Sequence, residues 1–304
     1  MPQIDILLAT YNGEAYLENQ LLSLLSQTFK DWHLHVHDDG STDGTLAILR
    51  AFESQDNRIT IINDGVKCGG AANNFLHLLN YAKSELVIFC DQDDIWFENK
   101  LALLANEFEG AVNEPLAVFC NGFAYSEDLG IINEKITSTF PNNLKEQLFL
   151  NAGIQGCSLM FNRALLNKLH TIPEINAMHD HFITLGAISF GRLKYLDKSL
   201  MLYRQFHANK ATTNINYSIS NRVISIFKSD IPVIDRLHLD ATMSFYDSYK
   251  NDLEVAQQIL FQQYFLYTKS KLLKRLQIIF INGFKLYNSV TLLLVKTITR
   301  KAVN

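Results

Sequence analysis

Between Ile4 and Asn121 the sequence repeatedly alternates a short apolar run with a longer segment of helical periodicity. The runs Ile4–Ala9, Trp32–His37, Ile59–Ile62, Leu86–Cys90 and Ala117–Cys120 read as strands. Between the first two, Leu17, Leu21, Leu24 and Leu25 fall at i, i+4, i+7 and i+8 and form one apolar stripe. Leu46, Leu49 and Phe52, then Phe75, Leu78, Leu79 and Ala82, repeat the pattern. Alternation of this kind predicts an α/β fold, a mostly parallel sheet covered by helices on both faces. Ligands bind such sheets beyond the carboxyl ends of the strands, where the strand order reverses.

Polar turns stand at those ends. Thr10-Tyr11-Asn12-Gly13 follows the first strand, Asp38-Asp39-Gly40-Ser41 the second, Asn63 to Gly70 the third and Asp91-Gln92-Asp93-Asp94 the fourth. Side chains alternate along a strand, so Asp91 and Asp93 are expected to leave its end on one side. Two carboxylates so placed suit Mg²⁺ or Mn²⁺, hard ions that complete their shells with substrate phosphates and water. An isolated acidic pair is more often a solvated turn, and the companion motifs decide between the two readings.

Asp39-Gly-Ser-Thr-Asp43-Gly44 opens like a calcium-binding loop, but the twelfth position, which should be a bidentate Glu, is Arg50. A turn followed by a helix cap at Thr42 or Asp43 fits better. Asp38 and Asp39 then either close the turn or face the cleft, where a carboxylate can accept the ring N–H of a uracil or thymine. Neither G-x-x-x-x-G-K-[ST] nor G-x-G-x-x-G occurs at the first turn, so phosphate must be neutralised by metal. Gly69-Gly70 allows close backbone approach to a phosphate or ribose, or serves only the turn.

Further along, His179-Asp180-His181 opens a helical segment running to Ser189. Asp180 is either a general base or a helix-N-terminal carboxylate favoured by the dipole. Cys157–Phe161, Leu193–Leu196 and Leu200–Tyr203 read as strands of an acceptor-binding half. Tyr203-Arg204-Gln205-Phe206-His207 ends the last of them, offering His207 as metal ligand, diphosphate donor or plain surface histidine, and Arg204 as a charge partner.

In this combination and order the motifs resemble glycosyltransferase family 2. They are Ala9-Thr-Tyr-Asn-Gly13, Ser26-Gln-Thr-Phe29, Asp38-Asp-Gly-Ser-Thr-Asp-Gly-Thr45, Asp91-Gln-Asp-Asp94 with Trp96, His179-Asp180, and Tyr203-Arg204 with His207. The Asp-Gln-Asp-Asp-Ile-Trp form is similar to the bacterial branch that builds O-antigen and capsule repeats with rhamnosyl, glucosyl or galactosyl units. The resemblance implies a GT-A fold with a C-terminal helical extension. It also implies inverting, metal-dependent transfer of a hexose or deoxyhexose from a UDP- or dTDP-linked donor to a polyprenyl diphosphate-linked saccharide. Thr10, Tyr11, Asn12, Glu14, Asp38, Asp39, Asn74, Asp91 and Gln92 would bind the nucleotide sugar, Asp39 taking the base. Asp93, Asp91 and His207 would hold Mn²⁺ or Mg²⁺, and Asp180 would be the catalytic base. One departure is that Phe206 separates His207 from the Tyr-Arg-Gln that it directly follows in relatives. A non-catalytic nucleotide-sugar binding protein is the alternative. A nucleotidyltransferase would need a Gly-rich, basic first turn that Thr10-Tyr11-Asn12 does not supply.

Domain boundaries are expected near residues 121 and 214, dividing a catalytic unit (1–214, with nucleotide-sugar and acceptor halves) from a helical extension (215–304). Charge sets the extension apart: beyond Glu254 there are eight cations and no carboxylate, so the chain's net −4 splits into −12 and +8. With its many aliphatic residues this tail suits an anionic membrane surface rather than nucleic acid, or else a helical cap with a basic outer face. It could also dimerise. The first residues read as a strand rather than a secretory signal, and Gly283, Lys285 and Asn288 interrupt the most apolar region before it reaches the roughly 18 residues of a membrane span. The four cysteines are scattered, without a C-x-x-C, and fit a reducing cytoplasm. The expected location is therefore cytoplasmic, peripheral on the inner face of the plasma membrane.

Overall fold

The computed structural model describes residues 3–111, 113–150, 153–170, 179–205 and 231–301. Four strands expected from the sequence form the parallel half of one nine-stranded sheet: β1 (Ile4–Thr10), β2 (Trp32–Asp38), β3 (Ile59–Ile62) and β4 (Leu86–Asp91). The remainder are β5 (Ile95–Trp96), β6 (Leu116–Ser126), β7 (Gly130–Asn133), β8 (Leu159–Asn162) and β9 (Arg192–Arg204). The order is β3-β2-β1-β4-β8-β6-β9-β5, with β7 on β6. β8 runs antiparallel between β4 and β6, which makes the sheet mixed. Because β2 and β4 flank β1, the strand order reverses there, and the register sets Thr10 beside Asp38 and Ala9 beside Asp91.

Alternation along the central strands explains why both faces are covered. Ile4, Ile6 and Leu8 of β1 enter one core with Leu86, Ile88 and Cys90 of β4, whereas Leu7, Val87 and Phe89 enter the other. The first core is sealed by α1 (Leu17–Leu25), α2 (Thr45–Glu53) and α4 (Lys100–Asn106). Over the second lie α3 (Ala71–Leu78), α5 (Leu144–Gln147), α6 (Arg163–Lys168) and α7 (His179–Phe190).

Four C-terminal helices join that second core: α8 (Arg236–Tyr249), α9 (Val255–Lys269), α10 (Leu272–Asn282) and α11 (Val290–Thr299). Their ends follow local chemistry. Asp235 caps α8 by accepting the N–H groups of Leu237 and His238, a contribution of about 1 kcal/mol. Gly283, at φ 63°, ends α10 in the left-handed region that a side chain would resist. Tyr264, Tyr267, Ile279, Phe284 and Leu293 pack into the same cluster as Phe149 and Phe182, so this end of the chain is built into the core of the catalytic fold. The boundary expected at 214 lies outside the described residues. Of the eight tail cations, Arg275 and Lys296 are buried; Arg275 donates to the Tyr267 and Thr268 carbonyls, and burial pulls Lys296 down to about 7. No helix among the described residues is long and apolar enough to cross a membrane.

Candidate active site

A cavity of about 580 Å³ opens at the point where the strand order reverses. Ala9 to Tyr11, Asp39, Lys67, Gly69 to Ala71, Asn74, Phe75 and Asp91 to Asp93 line it. Thr10, Tyr11, Asp39, Asn74, Asp91, Gln92 and Asp93, all expected from the sequence at a nucleotide-sugar site, therefore share one space.

They do not share one role. Tyr11 is 56% exposed, and its backbone is clamped by Gln92: the Tyr11 N–H donates to Gln92 Oε1 (2.9 Å) and Gln92 Nε2 donates to the Tyr11 carbonyl (3.0 Å). The clamp requires Gly13, where an added Cβ would lie 2.3 Å from Gln92 Oε1. Asp39 accepts the N–H groups of Cys68 (2.6 Å), Gly69 (3.2 Å) and Gly70 (2.9 Å), which folds the β3–α3 loop over the cavity. A carboxylate has about four acceptor positions, so this loop leaves Asp39 room for a further donor.

Four expected nucleotide contacts have side chains bonded within the protein instead. Asp38 accepts from the Thr10 and Ser41 hydroxyls and from the Gly40 and Ser41 N–H groups, closing its own turn. Asn12, at φ 46°, accepts the Thr42 N–H, and Glu14 accepts that of Gly44. Asn74 is buried against His37. Asn12 and Glu14 thereby tie the β1–α1 loop to the β2–α2 loop. Polar side chains at turns serve open backbone groups, and these four do so here.

The acidic corner also differs in detail. Gln92 and Asp93 form a turn, so strand alternation ends at Asp91 and Asp94 swings in beside it. Donor atoms of Asp91, Asp94 and Cys157 lie within 4.8 Å of one another, a group that omits Asp93. Asp93 is half-buried and faces the cavity. Asp94 Oδ1 accepts the Arg204 N–H at 3.1 Å, whereas its buried Oδ2 has no hydrogen-bond partner. Burial, then the Asp93 charge, raises Asp91 to about 7. Burial and the Asp91 charge likewise push Asp94 well up. Crowded carboxylates with an unpaired oxygen are a donor set that a hard divalent cation fits, since its charge would relieve the repulsion.

Two cations reach this corner, and the sequence pointed to only one. Arg204 is pinned by Glu127 (2.7 Å) and donates to the Asp93 carbonyl (2.8 Å), so it holds the turn in place. Lys100 is fully buried below; its Nζ donates to the Cys157 carbonyl (2.7 Å) and sits 3.5 Å from the Trp96 ring centroid. No motif in the sequence marks Lys100. Lys67, also on the cavity wall, is a third cation that the sequence reading missed.

Behind Phe75, which lines the cavity, α7 begins with His179 and Asp180. His179 stacks on Phe75 (ring centroids 4.3 Å apart), and burial lowers it to about 3. Gly156 makes room for it, because a Cβ there would meet His179 Nε2 at 2.6 Å. Asp180 Oδ1 accepts the His181 N–H at 2.7 Å. Burial raises Asp180 to about 6, and its charge in turn contributes to raising Asp91. His207 lies outside the described residues.

A mixed, mostly parallel sheet with an acidic corner at the reversal point suits a nucleotide-sugar glycosyltransferase of the GT-A kind. The profile of "Glycosyl transferase family 2" matches residues 5–169. The chain belongs to this family. It is 29% identical over 239 residues to the dTDP-rhamnosyl transferase RfbG of Shigella flexneri, covering 73% of this chain and 79% of that protein. To the UDP-Glc:alpha-D-GlcNAc-diphosphoundecaprenol beta-1,3-glucosyltransferase WfgD of Escherichia coli it is 30% identical over 189 residues, 61% of this chain and 69% of the relative. Among solved structures, S. aureus TarS 1-349 in complex with UDP-GlcNAc superposes with a TM-score of 0.58 at 16% identity, over 97% of this chain and 89% of TarS. The mannosyltransferase PcManGT of Pyrobaculum calidifontis, in complex with GDP-Man and Mn²⁺, gives 0.52 at 15% identity, over 98% and 86%. These two likenesses establish the fold.

Proposed function

We propose that this glycosyltransferase moves a hexose or deoxyhexose from a UDP- or dTDP-linked donor to a polyprenyl diphosphate-linked saccharide, with inversion, in O-antigen or capsule assembly. The observation that carries the reading is the pair of carboxylates Asp91 and Asp93 on the wall of the cavity where the strand order reverses, with Asp180 close enough for its charge to act on Asp91. The names of RfbG and WfgD support a dTDP- or UDP-linked donor and a lipid diphosphate acceptor.

In this reading Thr10 and Tyr11 line the nucleotide pocket, and Asp39 takes the base N–H with the acceptor capacity its loop leaves free. Asp91 and Asp93 hold Mn²⁺ or Mg²⁺ at the open side of the corner, while Asp94 and Lys100 fix the charge beneath. A divalent ion, when bound, stabilises charge on the leaving diphosphate without a proton. Asp180 removes the proton from the acceptor hydroxyl, a task that contributes on the order of 10²–10⁴ in rate and favours a base poised near the working pH. Burial has moved Asp180 toward that range. A single displacement from the opposite face inverts the anomeric carbon. Asp93→Ala tests the corner: nucleotide binding measured by calorimetry should lose its dependence on Mn²⁺, and an unchanged metal titration would remove Asp93 from the site.

The acceptor reading draws on α10. Leu273 (83% exposed), Phe280 (77%) and Ile281 (71%) form an outward apolar stripe beside exposed Lys269, Lys271 and Lys274, a surface matched to anionic lipid on the inner leaflet.

A further inference from the structure

Away from the acidic corner, His37, Asp64 and His77 bring one ligand atom each to within 4.8 Å of one another. His37 is the penultimate residue of β2, Asp64 lies in the β3–α3 loop, and His77 lies on α3. No step of the proposed transfer uses them.

The hydrogen bonds around His37 define which ring nitrogen is available. Asn74 Nδ2 donates to the His37 carbonyl at 3.1 Å, which fixes the orientation of that amide. Its Oδ1 therefore faces His37 Nδ1 at 2.7 Å, and the ring proton must sit on Nδ1. This leaves the lone pair of Nε2 pointing toward Asp64 Oδ1, 3.5 Å away. A lone pair facing a carboxylate oxygen is repulsive unless a second proton or a cation lies between them. An outer partner that fixes the imidazole tautomer is also a standard support for a metal-binding histidine. His77 Nε2 lies 2.6 Å from Asp64 Oδ2, and the Tyr81 hydroxyl donates to the same oxygen at 2.7 Å. The Tyr81 hydrogen bond, followed by the Val66 N–H, holds Asp64 below the usual carboxylate range, so it is anionic at neutral pH.

We propose that His37 Nε2, His77 Nε2 and the Asp64 carboxylate form a second cation site, for a late first-row divalent ion such as Zn²⁺, which fastens the β3–α3 loop to the sheet. Two imidazoles and one carboxylate with an open fourth position form a donor set that suits zinc and differs from the all-oxygen preference of Mg²⁺. Tetrahedral bonds of about 2.0–2.1 Å put ligand atoms roughly 3.3 Å apart. The His37–Asp64 separation of 3.5 Å already meets this, and the partly exposed Asp64 and His77 (side chains 23% and 20%) can open their shorter contact. On binding, the His77 ring carries its proton on Nδ1. A cavity of about 390 Å³ beside His37 and Asp64 gives access. The same loop supplies the three N–H groups that hold Asp39, so cation binding at Asp64 stiffens one wall of the nucleotide cavity.

Co²⁺ titration of chelator-treated full-length protein tests this. One equivalent should give the intense visible absorption of a low-coordinate nitrogen–oxygen site, displaced by Zn²⁺, absent in His77→Gln and Asp64→Asn, and retained in Asp93→Ala. No such band in the wild type, its survival in both loop-site variants, or its loss in Asp93→Ala would overturn the site. Zn²⁺ should also slow hydrogen exchange at the Cys68 to Gly70 amides in wild type and not in His77→Gln; equal exchange in both would refute the fastening role.

Discussion

Replacing Asp180 with Asn separates a catalytic carboxylate from a merely structural one, because the two roles give opposite signs in two assays. Burial raises Asp180 from 3.8 to about 6. The folded protein therefore holds this proton more tightly than the unfolded chain does, and stability falls as pH rises from about 3.8 to about 6. Above that the full penalty stands. At about 1.4 kcal/mol per unit, and allowing for partial exposure, it is on the order of 1–3 kcal/mol. Asn carries no charge, so Asp180→Asn should be more stable than wild type by that order at pH 8, and the difference should vanish near pH 4. Urea melts at the two pH values measure it. Turnover should fall in the opposite sense, by roughly 10²–10⁴ with nucleotide affinity kept. In the wild type, kcat/KM should lose about tenfold per pH unit below about 6 as the base is protonated. A variant less stable at pH 8, or one as active as wild type, would show that Asp180 only caps its helix through the His181 N–H.

Three further perturbations follow from the geometry. Gly13→Ala should drive Gln92 from its place and free Tyr11, raising the donor KM by roughly tenfold, equivalent to about 1.4 kcal/mol, for the loss of two hydrogen bonds; unchanged donor kinetics would show that the clamp is dispensable. Lys100→Met removes the buried cation whose charge helps to lower Asp91, so the carboxylates should hold protons more tightly and the onset of Mn²⁺ binding, read by calorimetry across pH, should move to higher pH; an unshifted onset would show that Lys100 serves packing alone. Changing Leu273, Phe280 and Ile281 together to Ser should abolish flotation with anionic liposomes at unaltered melting temperature. Deleting the tail is a poorer test, since Ile279, Phe284 and Leu293 belong to the core.

The parallel half of the sheet was legible because each strand there is a short, mainly apolar or alternating run (IDILLA, WHLHVH, ITII, LVIFC) closed by a polar turn. β9 was not, since Asp197, Lys198 and Ser199 divide one strand into two short runs. β6 extends past Cys120 because buried Asn121 satisfies itself through Ile136 and Thr137, a pairing 15 and 16 residues distant that no periodicity reports. At the site, motif spacing marked Thr10, Tyr11, Asp39, Asn74, Asp91, Gln92 and Asp93, which line the cavity, but not the hydrogen bonds that neighbouring side chains make within the protein. Asn12, Glu14 and Asp38 answer backbone groups of neighbouring turns. Asp94 and Lys100 acquire their meaning from Cys157 and Met201, which only the folded sheet brings to them. The tail's charge read correctly as asymmetric, while the turning of Arg275 and Lys296 into the core depended on aromatic and carbonyl partners beyond sequence view.

The central claim is transfer of a sugar from a nucleoside diphosphate, and product release tests it most directly. The purified protein is incubated with Mn²⁺, a panel of UDP- and dTDP-sugars and a synthetic lipid diphosphate-GlcNAc acceptor. Released nucleoside diphosphate and the anomeric configuration of the product are then measured. The account predicts metal-dependent release from one donor, an inverted product, and near-complete loss of both in Asp180→Asn. Metal-dependent nucleotide binding without release for any donor, or a product of retained configuration, would contradict it.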